Sequence, residues 1–230
     1  MRNLWVALGI LGGCTGAMPA PSFGTDQLIH LLLVIDRESN PEHPLDRLEA
    51  FPIPGEEGWY VTIEDTWAHW FGSFGCYKVE DGRIWEAGIS EAPLEQSILE
   101  LRGVRLQGFS RACVEVFGMT HMGNGDYYLY ALEGGNLRCV LKTRAVDWHK
   151  DENLIRDGKL SVTYRDLNGD GVDDVEFTGI VEEYPDGDFD AKPLRTYPCR
   201  KVFFWKAGLQ CFEEDHSQRE GFESYAKFGD

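Results

Sequence analysis

Residues 165–177, RDLNGDGVDDVEF, gather the side chains that hold hard cations. Asp166, Asn168, Asp170 and Asp174 stand at positions one, three, five and nine of one short segment, where alternate side chains of a tight loop turn inward together. Val172 would add a backbone carbonyl, and Gly171 permits the sharp turn. Calcium takes about six to eight oxygen ligands in a flexible shell, so the spacing predicts one Ca²⁺ on Asp166, Asn168, Asp170, Val172 and Asp174, completed by water or a remote carboxylate. Three aspartates so close together repel one another unless a cation neutralises them. Downstream, Asp186, Asp188 and Asp190 repeat the alternate spacing, but Ala191 replaces the turn glycine. They read as a solvated acidic loop that could lend a ligand or form a weaker second site.

Catalytic chemistry has less to stand on. None of the six histidines has another four residues on, as a zinc hydrolase helix requires. Ser110 sits in GFSRA, with Ala112 where a nucleophile elbow needs its second glycine. THMGNGDYYLY is glycine-rich, yet it opens a strand and so lacks the amides of a helix N-terminus. No catalytic residue is assigned. The alternative, a calcium-dependent envelope hydrolase, would use His121 with Asp126 or the acidic loops.

The elements that must position the acidic loop read as strands. Leu160, Val162 and Tyr164 alternate on its approach, and DVEFTGIV leaves it. WYVTIE, FGCYKVEDGRIWEAG, SILELRGVRLQG, RACVEVFGM, YYLYALEGGNLRCVLKT and RKVFFWKAGLQCF continue the texture, with hairpin signals at Asp81-Gly82 and at Gly134-Gly135-Asn136. LIHLLLVI, residues 28–35, reads as a buried strand, and the proline-rich, charged residues 36–58 read as a long surface excursion. The fold expected is mainly β, with antiparallel strands and hairpins forming a sandwich or partial-propeller-like single domain with few short helices. Trp59, Tyr60, Trp67, His69, Trp70, Phe71, Phe74 and Trp85 are dense enough to suggest a binding surface, but in a β-rich chain they are expected to fill the core.

The acidic loop is not an EF-hand, because Phe177 occupies the place of the bidentate glutamate and a strand approaches it. It resembles the strand-loop-strand calcium loop of integrin α-chains and of FG-GAP or VCBS-type repeats, whose DxNxDGxxD matches from Asp166 to Asp174. The match occurs once, so it implies a local ion site and not a propeller. At the other end of the chain, LGGC (Leu11, Gly12, Gly13, Cys14) resembles the bacterial lipoprotein signal. That resemblance implies a signal peptide over residues 1–13, lipidation at Cys14, and a flexible tether over residues 14–25 before a single β-rich calcium-binding domain, 26–230. The apolar run LWVALGILGG is about ten residues, half of what spans a bilayer.

Asp and Glu number 39 against 22 Lys and Arg, a formal charge of -17 that disfavours nucleic acid and anionic membranes. Membrane contact is expected only through Cys14, with an exported, membrane-anchored protein of the bacterial cell envelope on the periplasmic or surface side. Besides Cys14, five cysteines remain, enough for two bridges and one buried thiol in an oxidising compartment. The function expected is a calcium-stabilised binding module with an envelope protein or glycan as partner. A sharper form is an inhibitor or immunity protein, since the lipoprotein signal, β domain and acidic loop together resemble periplasmic immunity lipoproteins. An acidic face suits the cleft of a basic hydrolase.

Overall fold

Strict alternation along the central strands shows how the chain divides its core. In CVEVFGM, Val114 and Val116 enter one apolar cluster while Cys113 and Phe117 enter another on the opposite face. In the next strand, Tyr128 and Tyr130 join the first of these, and Tyr127, Leu129 and Ala131 join the second. A strand buried on both faces needs a layer on each side. A computed structural model of the chain describes residues 24–39, 42, 45–66, 72–81, 83–91, 97–120, 124–151, 154–185 and 191–221, and it supplies both layers.

The strands β1 (Leu45–Pro52), β2 (Trp59–Thr66), β3 (Gly72–Glu80) and β4 (Arg83–Glu86) form a four-stranded antiparallel sheet in chain order. An eight-stranded antiparallel sheet follows, again in chain order: β5 (Ser97–Val104), β6 (Cys113–Met119), β7 (Gly125–Glu133), β8 (Asn136–Asp151), β9 (Leu154–Arg165), β10 (Asp174–Pro185), β11 (Arg195–Lys206) and β12 (Cys211–Glu214). The mainly β, antiparallel class expected from the sequence is present. Both hairpin signals fall between paired strands, and Gly134 and Gly135 take positive φ of 55° and 82°, as a two-residue primed turn requires.

The large sheet curls. Phe109, before β6, meets the ring of Trp205 on β11 edge-on at 4.8 Å. In a flat sheet those strands would stand about 24 Å apart, five spacings of ~4.8 Å. Leu129, Leu160, Phe177 and Phe203 therefore share one concave core, although their strands are far apart in the sheet order. The convex faces of β6 and β7 pack on the small sheet through Val61, Ile63, Phe74 and Cys76. The small sheet's other face carries a helix, α1 (Thr25–Ser39), seated by Leu28 and Leu32 on Val79, Tyr60 and Tyr77.

Three expectations need correction. LIHLLLVI is helical: the Gly24 carbonyl accepts the Gln27 and Leu28 amides, and Gln27 Oε1 reaches back to the Gly24 amide at 3.1 Å, a start signal that the continuous apolar run conceals. Within the supposed surface excursion, residues 45–52 form β1, an edge strand that tolerates Pro52 because its outer side needs no ladder partner. The five cysteines beyond Cys14 are free thiols: Cys113 and Cys199 belong to the concave core, whereas Cys76 and Cys139 belong to the layer between the sheets. Burial pushes the Cys76, Cys113 and Cys139 thiols up to about 12 and Cys199 up to about 11. Of the aromatic group, Trp59, Tyr60 and Phe74 pack in the core, Trp85 is exposed, and Trp67, His69, Trp70 and Phe71 lie outside the described residues.

Candidate functional site

The acidic segment connects β9 to β10, as the alternation on either side of it requires. Gly169 and Gly171 take φ of 77° and 85°, which turn the chain back on itself. The two Asp166 oxygens accept the Gly169 amide at 2.7 Å and the Gly171 amide at 2.9 Å. Asn168 Oδ1 accepts the Asp170 amide, Asp170 Oδ1 accepts the Val172 amide, and Asn168 Nδ2 donates to Asp170 Oδ2. Each side chain thus keeps its loop position through the backbone, which is how short polar residues stabilise turns.

Asp174 is different. It is 0% exposed, its Oδ2 accepts the Leu167 amide at 2.9 Å, and its Oδ1 is buried with no hydrogen-bond partner. Burial pushes its carboxyl above the usual aspartate value; the Leu167 amide and, more weakly and beyond hydrogen-bond geometry, the Asn168 amide pull the other way, while the charges of Asp170 and Asp166 push it up. A buried carboxylate oxygen without a donor is costly, and a cation at the loop would answer that cost. The structure brings Asp166, Asn168, Asp170, Val172 and Asp174 into one loop. Among the described residues, no three Asp, Glu, His or Cys side chains converge in a metal-holding group, because the carboxylates face the loop amides.

This loop is docked across the curled sheet. Asp173 Oδ2 accepts the Gln107 amide at 2.6 Å, and the Asp173 amide returns a bond to the Gln107 carbonyl at 2.9 Å. Gly108, at φ 71°, lies so close that an added Cβ would stand 1.9 Å from the Gly171 carbonyl oxygen. Val172 packs on the concave core next door. A change in the acidic loop therefore reaches the segment between β5 and β6, at one edge of the sheet.

Other candidates are dispersed. Cys14, His121 and the acidic triplet Asp186, Asp188 and Asp190 lie outside the described residues. Asp126 accepts from Arg144 Nε at 2.7 Å across β7 and β8. Ser110 precedes a strand, so no helix dipole supports it as a nucleophile.

The sequence reading missed a polar group on the concave face. Glu115 on β6 is 5% exposed; its Oε1 pairs with Arg102 Nε, and its Oε2 accepts from Tyr127 at 3.1 Å and from Tyr164. Glu115, Arg102 and Tyr127 border a cavity of about 280 Å³ among β5 to β10, lined also by Phe117, Leu160, Val162 and Phe177, and Tyr164 stands behind Glu115. Burial, reinforced by the charge of Glu115, pushes both tyrosine hydroxyls well above their ordinary range, so they stay protonated. A signal existed: Glu115 interrupts a strand face that Cys113 and Phe117 otherwise make apolar. Protein family models, curated proteins and solved structures give no match to this chain.

Proposed function

We propose that this chain is a cell-envelope binding module whose β9–β10 loop takes one calcium ion as a structural brace. The observation that carries the reading is Asp174 Oδ1, buried without a donor beside Asp166 and Asp170. Asp166, Asn168, Asp170 and Asp174 would supply side-chain oxygens and Val172 its carbonyl. Flexible oxygen ligands from a short loop suit calcium better than the small, rigid shell of magnesium. The ion would relieve the repulsion among the aspartates and hold the loop against Gln107 and Gly108, fixing the curl of the large sheet.

Bracing of this kind serves recognition, because a curled sheet with fixed edges presents a constant surface. The charge of -17 favours a basic envelope protein as partner, in the manner of an inhibitor or immunity protein anchored through Cys14. Thermal unfolding in calcium and in chelator tests the reading, with Asp170→Ala beside the native chain. A ligand that binds only the folded state at about a hundred times its dissociation constant adds roughly 2.7 kcal/mol. The expected result is a rise in midpoint with calcium that Asp170→Ala abolishes. Equal midpoints in calcium and chelator for the native chain would remove the ion and the brace together.

A further inference from the structure

The cavity on the concave face is separate from the acidic loop and is built rather than incidental. A carboxylate rarely lies 5% exposed without partners, and Glu115 has three donors: the Arg102 guanidinium, Tyr127 and Tyr164. Arg102, Glu115 and Tyr127 come from the neighbouring strands β5, β6 and β7, and the curl of the sheet brings Tyr164 of β9 to them. We infer that this cavity binds one neutral, hydroxylated ring of hexose size, free or as the terminal unit of a glycan.

Charge argues for a neutral occupant. Arg102 and Glu115 already pair, and Glu100 adds one more negative group at the rim. An anion would meet two carboxylates, and a cation would compete with Arg102 for Glu115 while facing its like charge. A hydroxyl avoids both conflicts, because it donates to a carboxylate oxygen and accepts from a guanidinium at the same time. Arg102 uses only Nε toward Glu115, and its two Nη groups have no protein acceptor among the described residues. Fixed through Nε and with its side chain 62% exposed, the guanidinium offers those donors at the mouth of the cavity. Neighbouring hydroxyls of a sugar ring match this donor and acceptor pair.

The walls suit the rest of such a ring. Phe117 and Val162, both partly buried, offer apolar surface to its C–H faces with Leu160 and Phe177 behind them, and Tyr127 and Glu115 line the polar end. A volume of about 280 Å³ falls just under the ~300–1,000 Å³ of pockets that hold drug-sized ligands, so one ring fits and a chain does not. A glycan could enter only by its end.

Equilibrium binding to the full chain tests this, with glucose, galactose, mannose and N-acetylglucosamine as neutral rings, glucosamine as the cation and glucuronate as the anion. Methyl resonances of Leu160 and Val162 report the location in the native chain, and oligosaccharides ending in the same ring separate the sources. The expected result is saturable binding of at least one neutral ring, shifts at both residues, and weaker binding of the charged rings. Arg102→Gln, which keeps an amide donor within the side chain for Glu115 but removes the guanidinium, should weaken that binding by about tenfold or more, with the unfolding midpoint of the variant measured beside it. An oligosaccharide that binds at least as well as its free terminal ring identifies a glycan end; one that binds worse identifies a free sugar. No saturable binding by any neutral ring, tighter binding of glucosamine or glucuronate, shifts confined to other methyls, or full affinity in Arg102→Gln would each overturn the proposal.

Discussion

At the scale of single residues, a half-buried carboxyl on the small sheet ties stability to pH. Glu64, on the α1 side of β2, accepts at Oε1 from Thr62 Oγ1 at 2.6 Å and from the Tyr77 hydroxyl at 2.9 Å, while Thr62 Oγ1 takes the Gly75 amide. Burial raises its pKa, the two hydrogen bonds lower it, and the charges of Glu86 and Asp36 raise it again; the net direction is upward. The folded chain therefore binds this proton more tightly than the unfolded chain, whose glutamate titrates near about 4.3. Stability from Glu64 is fully present below that value and is lost as pH rises through the higher native value. Glu64→Gln keeps an Oε1 acceptor for both donors and removes the charge. Urea unfolding at a series of pH values should show it more stable than the native chain at about pH 7, by on the order of 0.5–2 kcal/mol, and level with it at about pH 3. A Gln variant that is less stable at neutral pH would mean that the hydrogen bonds need the charge. The sequence exposes little of this: the polar positions of WYVTIE alternate as a solvent face does, and only the layer under α1 makes that face half-buried. Glu115 differs: it stands out between Cys113 and Phe117 on an apolar face, but Arg102, Tyr127 and Tyr164, which meet it, lie on other strands and carry no local mark of that meeting.

Elements were legible where their pattern was short-range and failed where two periods coincide. Gly134-Gly135 and the alternation around the acidic loop needed only neighbouring residues, and both stand as read. LIHLLLVI contains a strand's continuous apolar run and a helix's Leu28 and Leu32 at once; Leu31, Leu33 and Val34 are not buried and carry no polar mark to reveal the helical face. The contact between the acidic loop and the β5–β6 segment was illegible, because Gln107 and Asp173 are 66 positions apart. That contact predicts an asymmetry between two glycines with positive φ. Gly108→Ala meets the Gly171 carbonyl oxygen at 1.9 Å, whereas Gly134→Ala has nothing within 4 Å. The left-handed backbone alone costs about 1–2 kcal/mol in each, and forcing the two segments apart adds about 1–3 kcal/mol at Gly108. Chemical unfolding should therefore place Gly108→Ala below Gly134→Ala by about 1–3 kcal/mol. Equal losses would show that the two loops separate without cost, and the brace assigned to the acidic loop would have nothing to hold.

For the molecule as a whole, the decisive quantity is a charge of -17 spread over a chain that must also curl an eight-stranded sheet. Self-repulsion of that size opposes the compact state, and salt relieves it. Raising NaCl from about 0.02 M to about 0.5 M shortens the screening length from roughly 20 Å to roughly 4 Å, so the unfolding midpoint should rise in chelator. Glu176 runs the other way: burial pushes its carboxyl up, but hydrogen bonds from Arg200 and Arg165 outweigh it and hold the carboxyl below the usual range. Local pairing of this kind is screened less than the diffuse field, so the rise with salt should dominate. Calcium can then act in two ways, as a counterion for the whole surface or as an ion seated in one loop, and salt separates them. A diffuse effect fades at about 0.5 M NaCl, where sodium already screens the surface, whereas an ion seated among Asp166, Asp170 and Asp174 still raises the midpoint. The native chain should accordingly respond to about 1 mM calcium at both salt concentrations, while Asp170→Ala should respond to NaCl and not to calcium. A calcium response that vanishes at high salt in the native chain would assign the ion to the surface at large, and the acidic loop would then be a turn held by its own amides.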